Sequence, residues 1–289
     1  MIDFSLLDWM NNEKLKELQK FAIEIRKATL ETIASLGVGH IGGALSIADA
    51  LAVLYGSEMR YDPANPTWPE RDKLVVSKGH AGPSVYATLA LKGFFPREEL
   101  KTLNRPGTRL PSHCDRNKTP GIDMTTGSLG QGCSLACGMA YGDKIRGRDS
   151  RVFLMVGDGE ANEGQVWEAF HFASAKKLSN LVVMLDWNKR QLDGWTEEIY
   201  DMGDFTAKME AFGFDTVTID GNNLEELVAA LERTRKGGDK PYAIVMNTLK
   251  GCGVPDVANT KMNHSMSVSA ANYEKWTAEL DAQLAALEG

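Results

Sequence analysis

The sequence predicts an α/β protein built on a doubly wound, mostly parallel sheet with helices on both faces. Short, continuously apolar runs such as RVFLMV (151–156) recur along the chain, and stretches with helical spacing separate them. Turn residues fall between the two kinds of segment. Strands buried on both faces need continuous apolar runs, and a parallel pair needs a long crossover, usually a helix. With 43% hydrophobic and 25% charged residues over 289 positions, a core of normal size can form. Length alone allows one large domain or two. With no internal repeat, low-complexity segment or interdomain linker, 1–289 reads as one domain with an N-terminal helical extension and a C-terminal helix.

Taken in order, 13–36 places Leu15, Leu18, Phe21, Ala22, Ile25, Ala28, Ile33 and Leu36 on one helical face. The turn-rich GVGHIGG (37–43) stops that helix, and 44–56 resumes a helical pattern. YDPANPTWPERD (61–72) is a proline-rich loop, and DKLVVS (72–77) reads as a buried strand. Further strands are expected at 151–156, 181–186, 214–219 and 242–247. Helices are expected at 83–92, 130–146, 163–177, 203–212, 223–236 and 270–287. In such sheets ligands sit at the C-terminal ends of the strands.

A net charge of −7 gives nucleic acid or an anionic membrane no electrostatic reason to bind, so neither is expected as a partner. A small anionic substrate is not excluded, because a few local cations or helix N-termini can hold it. Cys114, Cys133, Cys137 and Cys252 show no CxxC spacing, and MIDFSLLDWMNNEKLKEL opens without a basic, then apolar, leader. Both features point to a reduced, cytoplasmic protein. The most apolar stretch, 42–56, is too short to span a membrane and carries Asp49.

The strongest local signal begins where RVFLMV ends. Gly157, Asp158 and Gly159 lie just past one strand and Asn188 just past the next, with 28 residues between Gly159 and Asn188. That length fits a helix and a return strand, so a βαβ unit sets Asp158 beside Asn188 at one sheet edge. A carboxylate, an amide oxygen and a nearby main-chain carbonyl suit a hard divalent cation whose remaining positions go to phosphate oxygens. The tripeptide alone is more simply a tight Gly/Asp turn; Asn188 at the matching position reverses the balance. No GxxxxGK[ST] is present, and TTGSLGQG (125–132) has the order GxxGxG, which fits a dinucleotide fold poorly.

Four of the five histidines, His40, His80, His113 and His264, stand beside Gly, Ser or Asn in loop contexts, where binding residues concentrate. His171, in an ExxH on the helix after Gly159, lacks the second copy a di-iron site requires and reads as structural. A zinc site from His113, Cys114, Cys133 and Cys137 fits no standard spacing.

These segments together resemble transketolase. GHIGGALSIADAL, SKGHAGPSVYATLALKGF (77–94) and LPSHCDRNKTPGIDMTTGSLGQG (110–132) resemble its three histidine motifs, and the stretch from Gly157 to Asn188 resembles its thiamine diphosphate motif. The likeness continues through KGCGV (250–254) to His264, with the motifs in the family's order. The resemblance implies the diphosphate-binding domain of a thiamine diphosphate fold. Asp158, Asn188 and the carbonyl of Arg190 would be Mg²⁺ ligands, and Gly157 and Gly159 would border the diphosphate. Gly127 and Leu129 would flank the aminopyrimidine, and Glu163 matches an acidic position near the cofactor at the subunit interface, where it would take a catalytic part. His40, His80 and His113 would line the channel, contacting substrate hydroxyls, the cofactor diphosphate or both, His80 being among the cofactor-binding residues, with His264 meeting diphosphate and sugar.

The family's pyrimidine-binding and C-terminal domains find no counterpart in the sequence. The resemblance therefore implies a partner chain, the C-terminal subunit of a split transketolase, in an α₂β₂ assembly. Ile41 stands where the family has proline, and NHSMS around His264 departs from its His-Gly. These departures point away from the usual pentose phosphate, toward a branched sugar phosphate or a sulfonated sugar. The α-subunit of a 2-oxoacid dehydrogenase would share the metal motif without the histidine series. Deoxyxylulose-phosphate synthase is one long chain. A non-catalytic relative would tend to lose the metal ligands and loop histidines that this sequence keeps.

Overall fold

The computed structural model describes residues 12–288; the opening MIDFSLLDWMN, part of the reading against a leader, lies outside them. The elements are α1 (Asn12–Leu36), β1 (Val38–Gly39), α2 (Gly42–Leu45), α3 (Ala48–Val53), β2 (Lys73–Val76), α4 (Gly82–Leu91), α5 (Gln131–Ile145), β3 (Val152–Gly157) and α6 (Gly164–Ala175). There follow β4 (Leu181–Trp187), α7 (Thr196–Tyr200), α8 (Phe205–Ala211), β5 (Asp215–Asp220), α9 (Leu224–Arg233), β6 (Tyr242–Asn247), α10 (Pro255–Asn259), β7 (Met266–Ser267) and α11 (Ala270–Glu288).

Five strands form a parallel sheet in the order β2-β3-β4-β6-β5. After β4 the chain passes to the edge as β5 and returns as β6, and this change of direction opens a crevice at the strands' C-terminal ends. Side-chain alternation produces the two layers. Val152, Leu154 and Val156 of β3 join the core under α5 and α6, while Phe153 and Met155 join the core under α1, α3, α4 and α9. A third cluster packs α1 against α10 and α11, centred on Ile33, Val257, Trp276 and Leu280. A two-residue antiparallel ladder, Val38 with Ser267 and Gly39 with Met266, ties β1 to β7.

All five strands of the parallel sheet lie within a residue or two of their expected positions. The single helix expected over 44–56 is instead α2 and α3, continued by a π turn over Leu54–Glu58. The break falls at Ser46, whose hydroxyl donates to the buried Asp186 at 2.8 Å. At the π turn Gly56 lies so close to Leu18 that an added Cβ would sit 2.5 Å from its Cδ2. The α7, α10 and β1–β7 segments were not anticipated; they are too short to carry a period. Among the described residues no helix is long and apolar enough to cross a membrane.

Candidate active site

Four of the five strands of the parallel sheet bring a polar residue, from the loop on the crevice side, to one cavity of about 340 Å³. After β2 come Lys78 and His80, after β3 Asp158, after β4 Asn188 and Arg190, and after β6 Lys250. His40 enters between β1 and α2, and His113, Gly127 and Leu129 from the long loop before α5. His264 arrives just before β7. Gly157 and Gly159 complete the sequence-derived set on this wall. Glu163 is the exception: it is exposed, it precedes the first turn of α6, and it does not line the cavity.

Close backbone approach requires glycine at two points. A Cβ on Gly79 would lie 2.8 Å from the Gly127 nitrogen, so the two histidine-bearing loops touch main chain to main chain. A Cβ on Gly159 would lie 2.8 Å from Gln191 Cβ, which holds the Asp158 turn against the Asn188 loop.

Asp158 is buried and accepts from the main-chain nitrogens of Gly159 at 2.8 Å and Lys189 at 2.6 Å. Burial first, and then the charge of Asp186, push its carboxyl up to about 7. Asn188 Oδ1 accepts from the Arg190 nitrogen at 3.1 Å. The Arg190 carbonyl takes a hydrogen bond from Lys250 Nζ at 2.9 Å. Burial brings Lys250 down to about 8 against the opposing pull of Asp158. The Arg190 side chain points elsewhere, donating to the carbonyls of Ala258 and Thr260 and stacking on Trp195.

The four loop histidines form one cluster, with ring centroids 5.3 Å apart for His40 and His264, 4.6 Å for His80 and His264, and 5.6 Å for His40 and His113. Burial is the leading cause lowering all four, aided by neighbouring cations and by each other's charge at His40, His80 and His264. His264 falls to about 3 through burial and then Lys250, whose ammonium lies 3.4 Å from its Nδ1. The imidazoles are therefore neutral near pH 7, each able to donate from one nitrogen and accept at the other.

Sequence reasoning missed Glu160, Lys78, Asp186 and Lys250, all buried. Glu160 accepts from the nitrogens of Gly157 at 3.0 Å and Gly130 at 2.9 Å and from the Ser77 hydroxyl, joining three motif loops through one carboxylate. Each missed residue adjoins a motif that was read, but a lone Lys or Glu beside a loop signals solvent exposure. Ile41, in contrast, is fully buried in the cluster between α1 and α10 and makes no part of the cavity wall. His171 is exposed on α6. Cys133 and Cys137 face the core, and among the described residues no group of three or more His, Cys, Asp and Glu is placed to hold a metal.

The model of the family described as transketolase, thiamine diphosphate binding domain, matches residues 18–283. The chain is 49% identical over 270 residues to a 6-deoxy-6-sulfo-D-fructose transketolase subunit SqwG from Clostridium sp. (strain MSTE9), covering 93% of this chain and 98% of that one. It is 35% identical to an apulose-4-phosphate transketolase subunit from Phocaeicola vulgatus, covering 91% and 93% respectively. A solved transketolase from Pichia stipitis in complex with sedoheptulose-7-phosphate superposes with a TM-score of 0.82 at 26% identity, covering 94% of this chain and 46% of that chain. The chain spans less than half the length of the longer transketolases it matches. The 2-oxoacid dehydrogenase reading is not favoured by these matches. With its fold, its motifs and its matches in agreement over almost the whole length, the chain belongs to the transketolase family, as a thiamine diphosphate-binding subunit of the kind found in the family's split members.

Proposed function

We propose that this chain is the N-terminal subunit of a split transketolase. It would hold thiamine diphosphate and Mg²⁺ and transfer a two-carbon ketol unit from an anionic ketose to an aldose. The observation that carries this is the placing of four neutral imidazoles over a buried carboxylate, an oriented amide oxygen and an oriented carbonyl within one cavity. The three oxygens fit a dication. Asp158 is buried with too little compensating charge, and the Arg190 carbonyl already receives an ammonium. Together with Asn188 Oδ1 they leave positions for phosphate oxygens and water.

When bound, thiamine diphosphate supplies the nucleophilic carbon and the electron sink for cleaving the bond beside a ketose carbonyl. Asp158, Asn188 and the Arg190 carbonyl would hold Mg²⁺, freeing Lys250 to meet a phosphate oxygen. Gly127, Leu129, Gly157 and Gly159 let the main chain approach the cofactor closely. His40, His80, His113 and His264, being neutral, can take the proton from the donor's hydroxyl as its carbon leaves as the aldehyde of the aldose product, and return one to the acceptor's aldehyde oxygen as the new bond forms.

For the donor, the 49% identical relative named for 6-deoxy-6-sulfo-D-fructose supports a sulfonated ketose. That agrees with the altered surroundings of His264. We read 1–289 as one diphosphate-binding domain. The pyrimidine-binding domain would come from a C-terminal partner subunit in an α₂β₂ assembly, with Glu163 at the junction, in the cytoplasm. The test is ketol transfer by the chain mixed with its partner, thiamine diphosphate and Mg²⁺, over a panel of donors. Turnover highest with 6-deoxy-6-sulfo-D-fructose supports the proposal. Clear preference for xylulose 5-phosphate removes the sulfonated donor, and turnover by the chain alone removes the split-enzyme reading.

A further inference from the structure

Asn188 is held from behind. Its Nδ2 donates to Asp186 Oδ2 at 2.7 Å while its Oδ1 accepts from the Arg190 nitrogen. An amide has two ends of nearly the same shape, and a carboxylate only accepts. Asp186, together with the Arg190 N–H that can only donate, therefore fixes which end of Asn188 is nitrogen and leaves the oxygen for the cavity. Asp186 is held in turn: Oδ2 also accepts from Lys78 Nζ at 2.6 Å and from the Ser46 hydroxyl at 2.8 Å, and Oδ1 from the Thr248 hydroxyl. Lys78 donates further to the Gly43 carbonyl at 2.8 Å.

The Lys78 and Asp186 side chains are 1% and 0% exposed, so both charges have given up their water. A well-packed apolar pair often stabilises a fold as well as a buried ion pair does. It cannot choose the orientation of an amide.

We propose that Lys78 and Asp186 form a positioning pair that orients the Asn188 amide and thereby sets the affinity of the site for a divalent cation. This rests on the reading of Asp158 and Asn188 as cation ligands. Side chains behind metal ligands typically change metal affinity about 10–100-fold when removed.

The experiment measures the Mg²⁺ dissociation constant by titration calorimetry on the full chain assembled with its partner, at saturating thiamine diphosphate, with thermal unfolding followed in parallel. In Lys78→Met/Asp186→Leu the pair becomes apolar; the expected result is near wild-type unfolding with Mg²⁺ bound about 10–100-fold more weakly. Asp186→Asn is the conservative variant. Its oxygen can face Lys78, Ser46 and Asn188 while its nitrogen meets the Thr248 hydroxyl, so Mg²⁺ affinity is expected within about threefold of wild type. Wild-type affinity in the apolar variant, or a loss of about tenfold or more in folded Asp186→Asn, overturns the positioning role. The second result does so even if the apolar variant fails to fold. Asp158→Ala separates the two levels: if it binds Mg²⁺ as wild type does, the ligand reading has failed, and the positioning role with it.

Discussion

At Asp158 the carboxyl is pushed up to about 7, first by burial and then by Asp186. On the proposed function, a dication held with the cofactor would balance this carboxylate. Asp158→Ala is expected to abolish ketol transfer by the assembled enzyme while leaving the fold intact, checked by activity alongside circular dichroism. His264 gives a pH prediction. Its folded value is about 3 against an ordinary 6.5, so between those values the unfolded chain binds a proton that the folded chain refuses. Stability from this residue is complete above about 6.5 and is lost as pH falls below it. His264→Asn should therefore lose less stability than wild type between about pH 7.5 and 5, read from urea midpoints. Equal losses would refute the assignment. Asp158 and Asn188 were legible because a motif and a spacing marked them. Lys78 and Asp186 were not, because their partnership spans 108 residues and only folding brings them together.

Helices and strands were legible to the degree that each carries a full period. The five apolar strand runs had only one plausible location, a sheet covered on both faces. The 44–56 segment misled because its helical spacing is real while the ladder breaks between α2 and α3, just after Ser46, whose N–H still bonds the Gly42 carbonyl while its hydroxyl donates to Asp186. Capping supplies a prediction here. Asp204 accepts from the nitrogens of Thr206 and Ala207 at the start of α8, and Asp204→Ala should cost about 1 kcal/mol in chemical denaturation. Glu160 acts between elements, since its carboxylate links the ends of β2 and β3 to the loop that starts α5. Glu160→Ala should destabilise by about 3 kcal/mol and weaken cofactor binding together, because the stranded Gly157 nitrogen borders the cavity. A calorimetric melt and a thiamine diphosphate titration check both effects.

For the molecule as a whole, the cavity's composition was largely legible and its closure was not. A sequence read in order cannot show that the loop after β6 is anchored from α1. Arg26 does this, paired with Asp49 through its two terminal guanidinium nitrogens, at 2.9 and 2.6 Å, and donating from Nε to the Cys252 carbonyl at 3.0 Å. Asp49→Ala would leave that guanidinium buried without its partner, and a loss of about 3–5 kcal/mol is expected by denaturant titration. The α₂β₂ expectation predicts a mass by light scattering of two copies of each chain after mixing. The two-residue ladder between β1 and β7 has a consequence for biosynthesis. It clasps the residues flanking His40 to those flanking His264, while the parallel sheet is finished at Asn247. A ribosome that has delivered the sheet has delivered three of the four clustered histidines. The last arrives only with the segment that closes the clasp, so the four-histidine cluster is completed after the sheet's last strand has been made.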